Sequence, residues 1–485
     1  MRIVIVGAGM VGVQLAKHLI QEKHNVSIIE SNEERARHAS NRIDCLVIHD
    51  EGNSIKSLEE AGIAKADALV CVTDSDEVNM IICGLAASHY PEALKIARVR
   101  NDDYMHLSLA GDARVLGIDH FVHPGMEAAR SIIHAIEHGA LGDVIAFSDT
   151  PYELGSIHIG KGSAFDGLSL KDYHNLVKTE SLVTLLERKG EVLLPSGSTV
   201  LAGGDRIYIL ANGKELPRIF GFAGSAEKPL RKIGIVGGGK IGSLVIEGLL
   251  DQQDLFGRRA GAEKPDRAGN KKYNFLFPLL KTLMPRNSRR IVIIEQDYRL
   301  CKDLAARYPE TLVLNEDISD ESFVNEEQLD DLDLLVTTTN NQELNIITAV
   351  YLKSRGIDKA IAMVTGSGYA AMARQLGVDV VIPMKSVVVD SILSHLMGSG
   401  VKEVHRIGDG AVDIMEIEIE KEAPIAGRSI PEFKLSAGGL VMLVNRGDHS
   451  FIPRGDYVFS SGDRIVLIAK TGSQAEIEKH FGAAT

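Results

Sequence analysis

Gly7, Gly9 and Gly12 close a short apolar run, Ile3-Val4-Ile5-Val6, and open a helical pattern. Glycines at that spacing suit a diphosphate. Gly7 permits a tight turn at a strand end. Gly9 keeps the backbone bare where a phosphate approaches, and Gly12 lets the next helix pack close to the strand. The free N–H groups and the positive dipole end of that helix then face the anion. An acidic residue, Glu30, follows at the expected distance and ends the apolar run Val26-Ser27-Ile28-Ile29. The same device recurs as Lys232-Ile233-Gly234-Ile235-Val236, then Gly237-Gly238-Gly239-Lys240-Ile241-Gly242, with Glu295 downstream.

Alternating strands and helices position these residues. Up to about residue 123, apolar runs at 2–6, 26–29, 45–48, 68–72, 96–100 and 120–122 alternate with helical patterns. That order implies right-handed crossovers and a parallel sheet. Ligands on such sheets bind beyond the strand C-termini. Gly7 to Gly12, Glu30, Asp50, Thr73, Asp74 and Arg98 all fall at that edge. A helix from Pro124 to about Leu141 leaves the sheet, with Met126, Ala129, Ile132, Ile133 and Ile136 on one face. Residues 143–222 then alternate apolar and polar in short strands between Gly and Pro turns.

After a hinge-like stretch from Gly221 to Pro229, the chain replays itself. Gly7 maps to Gly237, Glu30 to Glu295, Thr73 to Thr339 and Pro124 to Pro383; Gly204-Asp205-Arg206-Ile207 returns as Gly462-Asp463-Arg464-Ile465. The expected architecture is α/β: two Rossmann-like parallel-sheet lobes, each followed by a small α+β lobe, in tandem duplication. The boundaries fall at 1–140, 141–222, 231–400 and 401–485. A basic–apolar insertion of about 35 residues, near 251–288, interrupts the second large lobe. It reads either as a solvated loop or as a contact segment for a partner or membrane surface.

Composition narrows the function classes. The net charge of −13 argues against nucleic acid as the main partner. Four cysteines without a C-x-x-C pair suit a reducing compartment and suggest no metal site. No apolar run approaches the ~18–20 residues of a membrane helix, and the chain opens on a strand without a signal peptide. His134 and His138 spell H-x-x-E-H, but the repeat puts leucine and methionine there, so metal binding is not expected. Met384, Leu393, Leu396 and Met397, on the second exit helix, read as packing against a neighbouring lobe. Two readings compete: a free-standing nucleotide sensor without a membrane partner, and a nicotinamide-dependent dehydrogenase. The latter needs a substrate domain and a proton-transfer group, and the small strand-rich units offer no His/Lys/Asp set.

The two glycine turns, Glu30, Thr73-Asp74-Ser75-Asp76-Glu77-Val78-Asn79, Arg98-Val99-Arg100-Asn101 and the duplication resemble the bacterial Trk potassium-uptake regulators, the TrkA family of tandem regulators of potassium conductance. The resemblance implies a non-catalytic cytosolic subunit, peripheral on the inner face of the cell membrane. Its partner would be a membrane potassium channel subunit of the TrkH/TrkG type. It also implies a homo-oligomeric ring, a tetramer of tandem chains, that binds NAD or NADH, or ATP or ADP. Gly7, Ala8, Gly9, Met10, Val11 and Gly12 would hold the diphosphate and Glu30 the adenosine ribose, where a carboxylate repels the 2′-phosphate of NADP. Thr73 and Asp74 would line the site, against a plain helix start. Arg98 would meet phosphate, against a surface ion pair, and Asp50 stands between ligand contact and helix cap. In the second lobe Gly237, Gly238, Gly239, Lys240, Ile241, Gly242 and Glu295 take the matching places, with Lys240 as a phosphate cation. Thr339-Asn340-Asn341-Gln342-Glu343 replaces the acidic run, and Arg98 aligns near Met363.

Overall fold

The computed structural model describes residues 1–109, 115–137, 144–147, 150–224, 230–250, 290–320, 329–396, 401–407, 411–432, 438–447 and 449–481. The 251–288 insertion, residues 225–229 of the hinge-like stretch, His138 and Met397 lie outside them.

The first large lobe alternates β1 (Arg2–Val6), α1 (Met10–Gln21), β2 (Asn25–Glu30), α2 (Glu33–Ser40), β3 (Leu46–His49), α3 (Ile55–Glu60), β4 (Ala68–Cys71), α4 (Asp76–His89), β5 (Leu94–Arg98), α5 (Asp102–Leu109) and β6 (His120–Val122). The parallel strands lie in the order β3-β2-β1-β4-β5-β6. Parallel strands are covered on both faces, which is why their sequences are continuous apolar runs. Successive side chains of β1 divide between the faces. Val4 and Val6 join a core with Leu58 of α3 and Ile82 and Ala86 of α4. Ile3 and Ile5 join Leu15 and Leu19 of α1 on the other side.

α6 (Pro124–Glu137) leads to a small antiparallel unit: β7 (Val144–Ala146), β8 (Tyr152–His158), α7 (Leu170–Val177), β9 (Ser181–Arg188), β10 (Glu191–Leu193), β11 (Arg206–Asn212) and α8 (Leu216–Phe222). Its sheet order is β10-β9-β11-β8-β7. The second half repeats both. Its large lobe holds β12 (Lys232–Val236), α9 (Lys240–Leu250), β13 (Arg290–Glu295), α10 (Tyr298–Arg307), β14 (Leu312–Asn315), β15 (Leu334–Thr337), α11 (Gln342–Ser354), β16 (Lys359–Val364), α12 (Ser367–Gln375), β17 (Val380–Pro383) and α13 (Met384–Leu396). Its sheet runs β14-β13-β12-β15-β16-β17. The last unit holds β18 (Val401–Ile407), β19 (Val412–Glu418), β20 (Gly439–Arg446), β21 (His449–Phe451), β22 (Arg464–Lys470) and α14 (Gln474–Phe481), in sheet order β18-β19-β22-β20-β21.

The repeated Gly-Asp-Arg-Ile hairpin has a structural use. Asp205 accepts both arms of the Arg188 guanidinium at 2.8 and 2.6 Å, and Asp463 accepts those of Arg446 at 2.7 and 2.6 Å. Such paired bonds fix geometry as well as adding energy. The two small sheets meet face to face, with Leu154, Leu185, Tyr208 and Leu210 of one against Ile414, Leu443, Val466 and Ile468 of the other.

The exit helices are exchanged. Ala128, Ile132 and Ile136 of α6, spaced i, i+4 on one stripe, are buried with Ile233 and Ile235 of β12 and Val245 and Ile246 of α9. Val388, Val389, Ile392, Leu393 and Leu396 of α13 are buried with Ile3 and Ile5 of β1 and Leu15 of α1. Each half therefore completes the other half's core. Of the residues expected to pack on a neighbouring lobe, Leu393 and Leu396 enter the core of the first lobe of the same chain, whereas Met384 packs on the cluster of its own lobe. The exchange is tightened by the imidazoles of His120 on β6 and His395 on α13, stacked with centroids 4.1 Å apart.

Candidate functional site

Strand order reverses between β1 and β4, and the loops leaving these two strands meet there. Such a switch point opens a crevice at the sheet edge. Gly7 has φ +106°, and a Cβ on it would stand 3.0 Å from the Thr73 nitrogen. A Cβ on Gly12 would stand 2.0 Å from the Gly7 carbonyl oxygen, so the first turn of α1 and the glycine loop touch backbone to backbone. Gly9 differs from both: a Cβ there would meet nothing within 4 Å. The first N–H groups of α1, from Met10 onward, have no acceptor within the helix. Open space at Gly9 leads to them. The second turn copies this geometry. Gly237 has φ +94° and a Cβ on it would stand 3.0 Å from the Thr339 nitrogen, a Cβ on Gly242 would stand 2.0 Å from the Gly237 oxygen, and one on Gly239 would meet nothing within 4 Å.

Glu30 is buried at the end of β2, and its carboxylate holds the loop in shape. One oxygen accepts the Ala8 N–H at 2.6 Å and the other the Asn32 N–H at 2.9 Å. Glu295 does the same for Gly238 at 2.8 Å and Asp297 at 2.9 Å. Each oxygen keeps a second lone pair for a ligand hydroxyl. Asp50 lies past β3, where its oxygens take the Glu51 N–H at 2.8 Å and the Ser57 hydroxyl at 2.5 Å. The Ser57 bond lowers its pKa first, with the Glu51 N–H adding to it. Asp50 braces α3 through the Ser57 side chain, whereas the N-cap of α3 is Ser54, whose hydroxyl accepts the Ser57 N–H at 3.3 Å.

Thr73 is positioned by a residue that the sequence reading quoted without a role. The buried Asn79 amide oxygen accepts the Thr73 N–H at 2.9 Å and its hydroxyl at 2.7 Å, while its NH2 donates to the carbonyls of Thr73 at 3.2 Å and Arg98 at 2.9 Å. Asn345 makes the same four bonds, to Thr339 and to the Met363 carbonyl. The signal was present: an asparagine six residues after each threonine, in both repeats. Asn345→Ala orphans these backbone groups in the interior, at a cost of about 3 kcal/mol. A matching fall in the denaturant midpoint for residues 290–396, read by hydrogen exchange, is the expected result; an unchanged midpoint contradicts the brace.

These asparagines also fix the register between the lobes. Asn79 bonds to Arg98 where Asn345 bonds to Met363, so Met363 stands in the place of Arg98. The difference removes a charged arm. In the first lobe Asp74 lies between Arg35 at 3.1 Å and Arg98 at 3.3 Å. The Arg35 hydrogen bond leads in holding the Asp74 carboxyl below its usual range. Arg98 also donates to the Thr73 carbonyl at 2.7 Å. Burial lowers its pKa and the neighbouring Arg100 adds to this. Its Nε is buried with no acceptor among the described residues. Leu300, Asn340 and Met363 occupy these three places in the second lobe.

Lys240 departs from its expected role. Its ammonium does not serve its own turn; it crosses to the first lobe, pairing with the Asp102 carboxylate at 3.1 Å and donating to the Arg100 carbonyl. Asp102 also meets the buried His123 ring at 3.0 Å. Among the described residues no group of three or more His, Cys, Asp or Glu side chains is arranged to hold a metal ion. No described helix is long and apolar enough to cross a membrane.

The family model described as TrkA-N domain matches residues 3–124 and 274–383, and the one described as TrkA-C domain matches 154–223 and 414–482. Together they take in most of the chain, although the second glycine turn precedes the second TrkA-N match. The Trk system potassium uptake protein TrkA of Haemophilus influenzae is 26% identical across 99% of this chain and 98% of its own length. TrkA homolog 1 of Methanosarcina mazei is 26% identical across 99% of this chain and 100% of its own. Among solved structures, the GsuK channel bound to NAD superposes with a TM-score of 0.54 at 17% identity, covering 100% of this chain and 79% of that one. The GsuK RCK domain superposes with a TM-score of 0.53 at 16% identity, covering 100% and 95%. At these identities the structural likeness establishes the fold.

Proposed function

This chain belongs to the TrkA family, and from that premise we propose that it is the nucleotide-sensing gating subunit of a TrkH/TrkG-type potassium uptake channel. Family membership makes it a regulator of potassium transport rather than an enzyme. NAD or NADH binds in the first crevice, with ATP and ADP as competitors. The carrying observation is that crevice: a bare Gly9 leading to helix N–H groups, a carboxylate at the end of β2, and a half-buried arginine, all at one switch point. Gly7, Ala8, Met10, Val11 and Gly12 shape the cradle around Gly9, and Thr73 and Asp74 form its wall. The second crevice keeps Gly237 to Gly242 and Glu295 but lacks the charged arm, so the first is the stronger site.

A ligand shifts a channel only by the difference in its affinity for two geometries, typically ~1–3 kcal/mol per site. A ring of tandem chains at the inner face of the membrane multiplies that effect. Ring assembly is supported by apolar side chains exposed at equivalent places in both lobes. Ile81 on α4 and Leu116 beside it are 51% and 52% exposed, and their counterparts Ile347 on α11 and Leu376 after α12 are 65% and 53% exposed. Repeated unpartnered apolar patches mark association surfaces.

Calorimetric titration of NAD, NADH, NADP, ATP and ADP onto the purified chain tests this reading. The expected result is NAD or NADH bound at least about 100-fold tighter than NADP, since a 2′-phosphate near the Glu30 carboxylate costs several kcal/mol at an effective dielectric of ~20. Potassium flux through the reconstituted channel should then follow occupancy. Absence of binding by all five nucleotides overturns the proposal.

A further inference from the structure

The exchange of exit helices carries a cation to the first glycine turn that the first lobe does not encode. Lys385 is the second residue of α13, from the second half of the chain. Docked on the first lobe, its ammonium stands 2.7 Å from the Met10 sulfur, at the start of α1. One residue on, the Ser386 hydroxyl accepts from the Gln14 amide at 3.5 Å, so α13 follows α1 through this contact. On the other flank lies the loop after β16, where a Cβ on Gly366 would stand 3.8 Å from the same nitrogen.

A thioether is a weak acceptor, and among the described residues no carboxylate stands within ion-pair distance of Lys385. The side chain is half-buried, and burial pulls its pKa below that of a free lysine. Lys240 makes the contrast. It is the second turn's counterpart of Met10, in the mirror contact between the two halves, and there Asp102 neutralises it at 3.1 Å. A desolvated charge left unpaired costs free energy unless something of opposite sign arrives. Met10, which Lys385 touches, directly follows Gly9, where a Cβ would meet nothing within 4 Å.

We infer that Lys385 is a phosphate-binding residue of the first site, supplied by the second lobe, and that its ligand is the pyrophosphate of a nucleotide. This rests on the proposed nucleotide site and deepens it: the first site is built from both halves of the chain. The repeat has Met126 at the place of Lys385, so the second turn receives no such cation. A ligand in the first site therefore ties α13 to the glycine turn, and occupancy and lobe docking strengthen one another.

The test titrates NAD at low and high KCl onto the full wild-type chain, Lys385→Met and Lys385→Arg. In parallel, acetylation of lysines by an N-hydroxysuccinimide ester is mapped by mass spectrometry with and without NAD. The expected result is binding about tenfold weaker in Lys385→Met, about 1.4 kcal/mol, with a shallower salt dependence. Lys385→Arg should keep near-wild-type affinity, and NAD should protect Lys385 from acetylation in the wild type. Wild-type affinity and salt dependence in Lys385→Met, or acetylation of Lys385 unchanged by NAD, overturns this inference and leaves the nucleotide site standing. A wild-type chain that binds no nucleotide overturns both.

Discussion

Gly9→Asp abolishes nucleotide binding at the first crevice and leaves the chain at least as stable as the wild type. The two effects separate because of where Gly9 sits. It is the N-cap of α1, with φ −66° and ψ −178°, a conformation open to any residue, and no side chain caps the helix there. An aspartate at an N-cap accepts an N–H from the first turn and stabilises the helix by about a few tenths of a kcal/mol relative to glycine. Nothing lies within 4 Å of its Cβ to be displaced. The same carboxylate occupies the place of the diphosphate and repels it. At about 4 Å and an effective dielectric of ~20, that repulsion is about 4 kcal/mol, a loss of nearly a thousandfold. Calorimetry and thermal melting decide it together. Retained NAD binding at an unchanged melting temperature would place the ligand elsewhere. Gly12→Ala makes a poor control, since its Cβ would drive into the Gly7 carbonyl and disturb the loop itself.

Ile392→Ala, in the second half of the chain, destabilises the first lobe. Ile392 is fully buried among Ile3, Ile5 and Leu15, and truncating such a side chain costs about 2–5 kcal/mol in transfer and cavity terms. Hydrogen exchange shows where the loss falls. Protection should drop across β1 and α1, some 370–390 residues away in sequence, while β12 and β13 hold theirs. A loss confined to residues 290–396 would mean that α13 packs on its own lobe. Ile132→Ala in α6 is the mirror experiment, with the loss appearing in β12 and α9.

The sequence carried the large lobes because local signals there agree. Continuous apolar runs such as Ile3-Val4-Ile5-Val6 mean a strand covered on both faces, and the glycine spacing places the first crossover. Duplication gave each signal twice, which is why Glu30 and Glu295 could be paired across an insertion. Side-chain direction was not legible. Lys240 sits inside a phosphate turn by spacing, yet its four-carbon stem reaches the other lobe, where Asp102 waits. Nothing local in Met384-Lys385-Ser386 points to the first glycine turn; only the docking of α13 brings it there. The face Met126, Ala129, Ile132, Ile133 and Ile136 announced a packing surface without saying whose core it enters. Asn79 carried no role in the sequence because its partners, Thr73 and the Arg98 carbonyl, meet it only in three dimensions.

The exchanged helices make each half an unfinished protein. A chain ending after the first small unit would present the α6 stripe to water and leave Ile3 and Ile5 uncovered, so it would dimerise with itself or aggregate. Covalent fusion turns that encounter between two molecules into an event within one. It also lifts the demand that both partners be the same: in a dimer of identical halves, a substitution in one glycine turn is a substitution in both. Here one turn keeps Arg35, Asp74, Arg98 and a borrowed Lys385 while the other has let them go. Division of labour between two pockets is what the tether makes heritable.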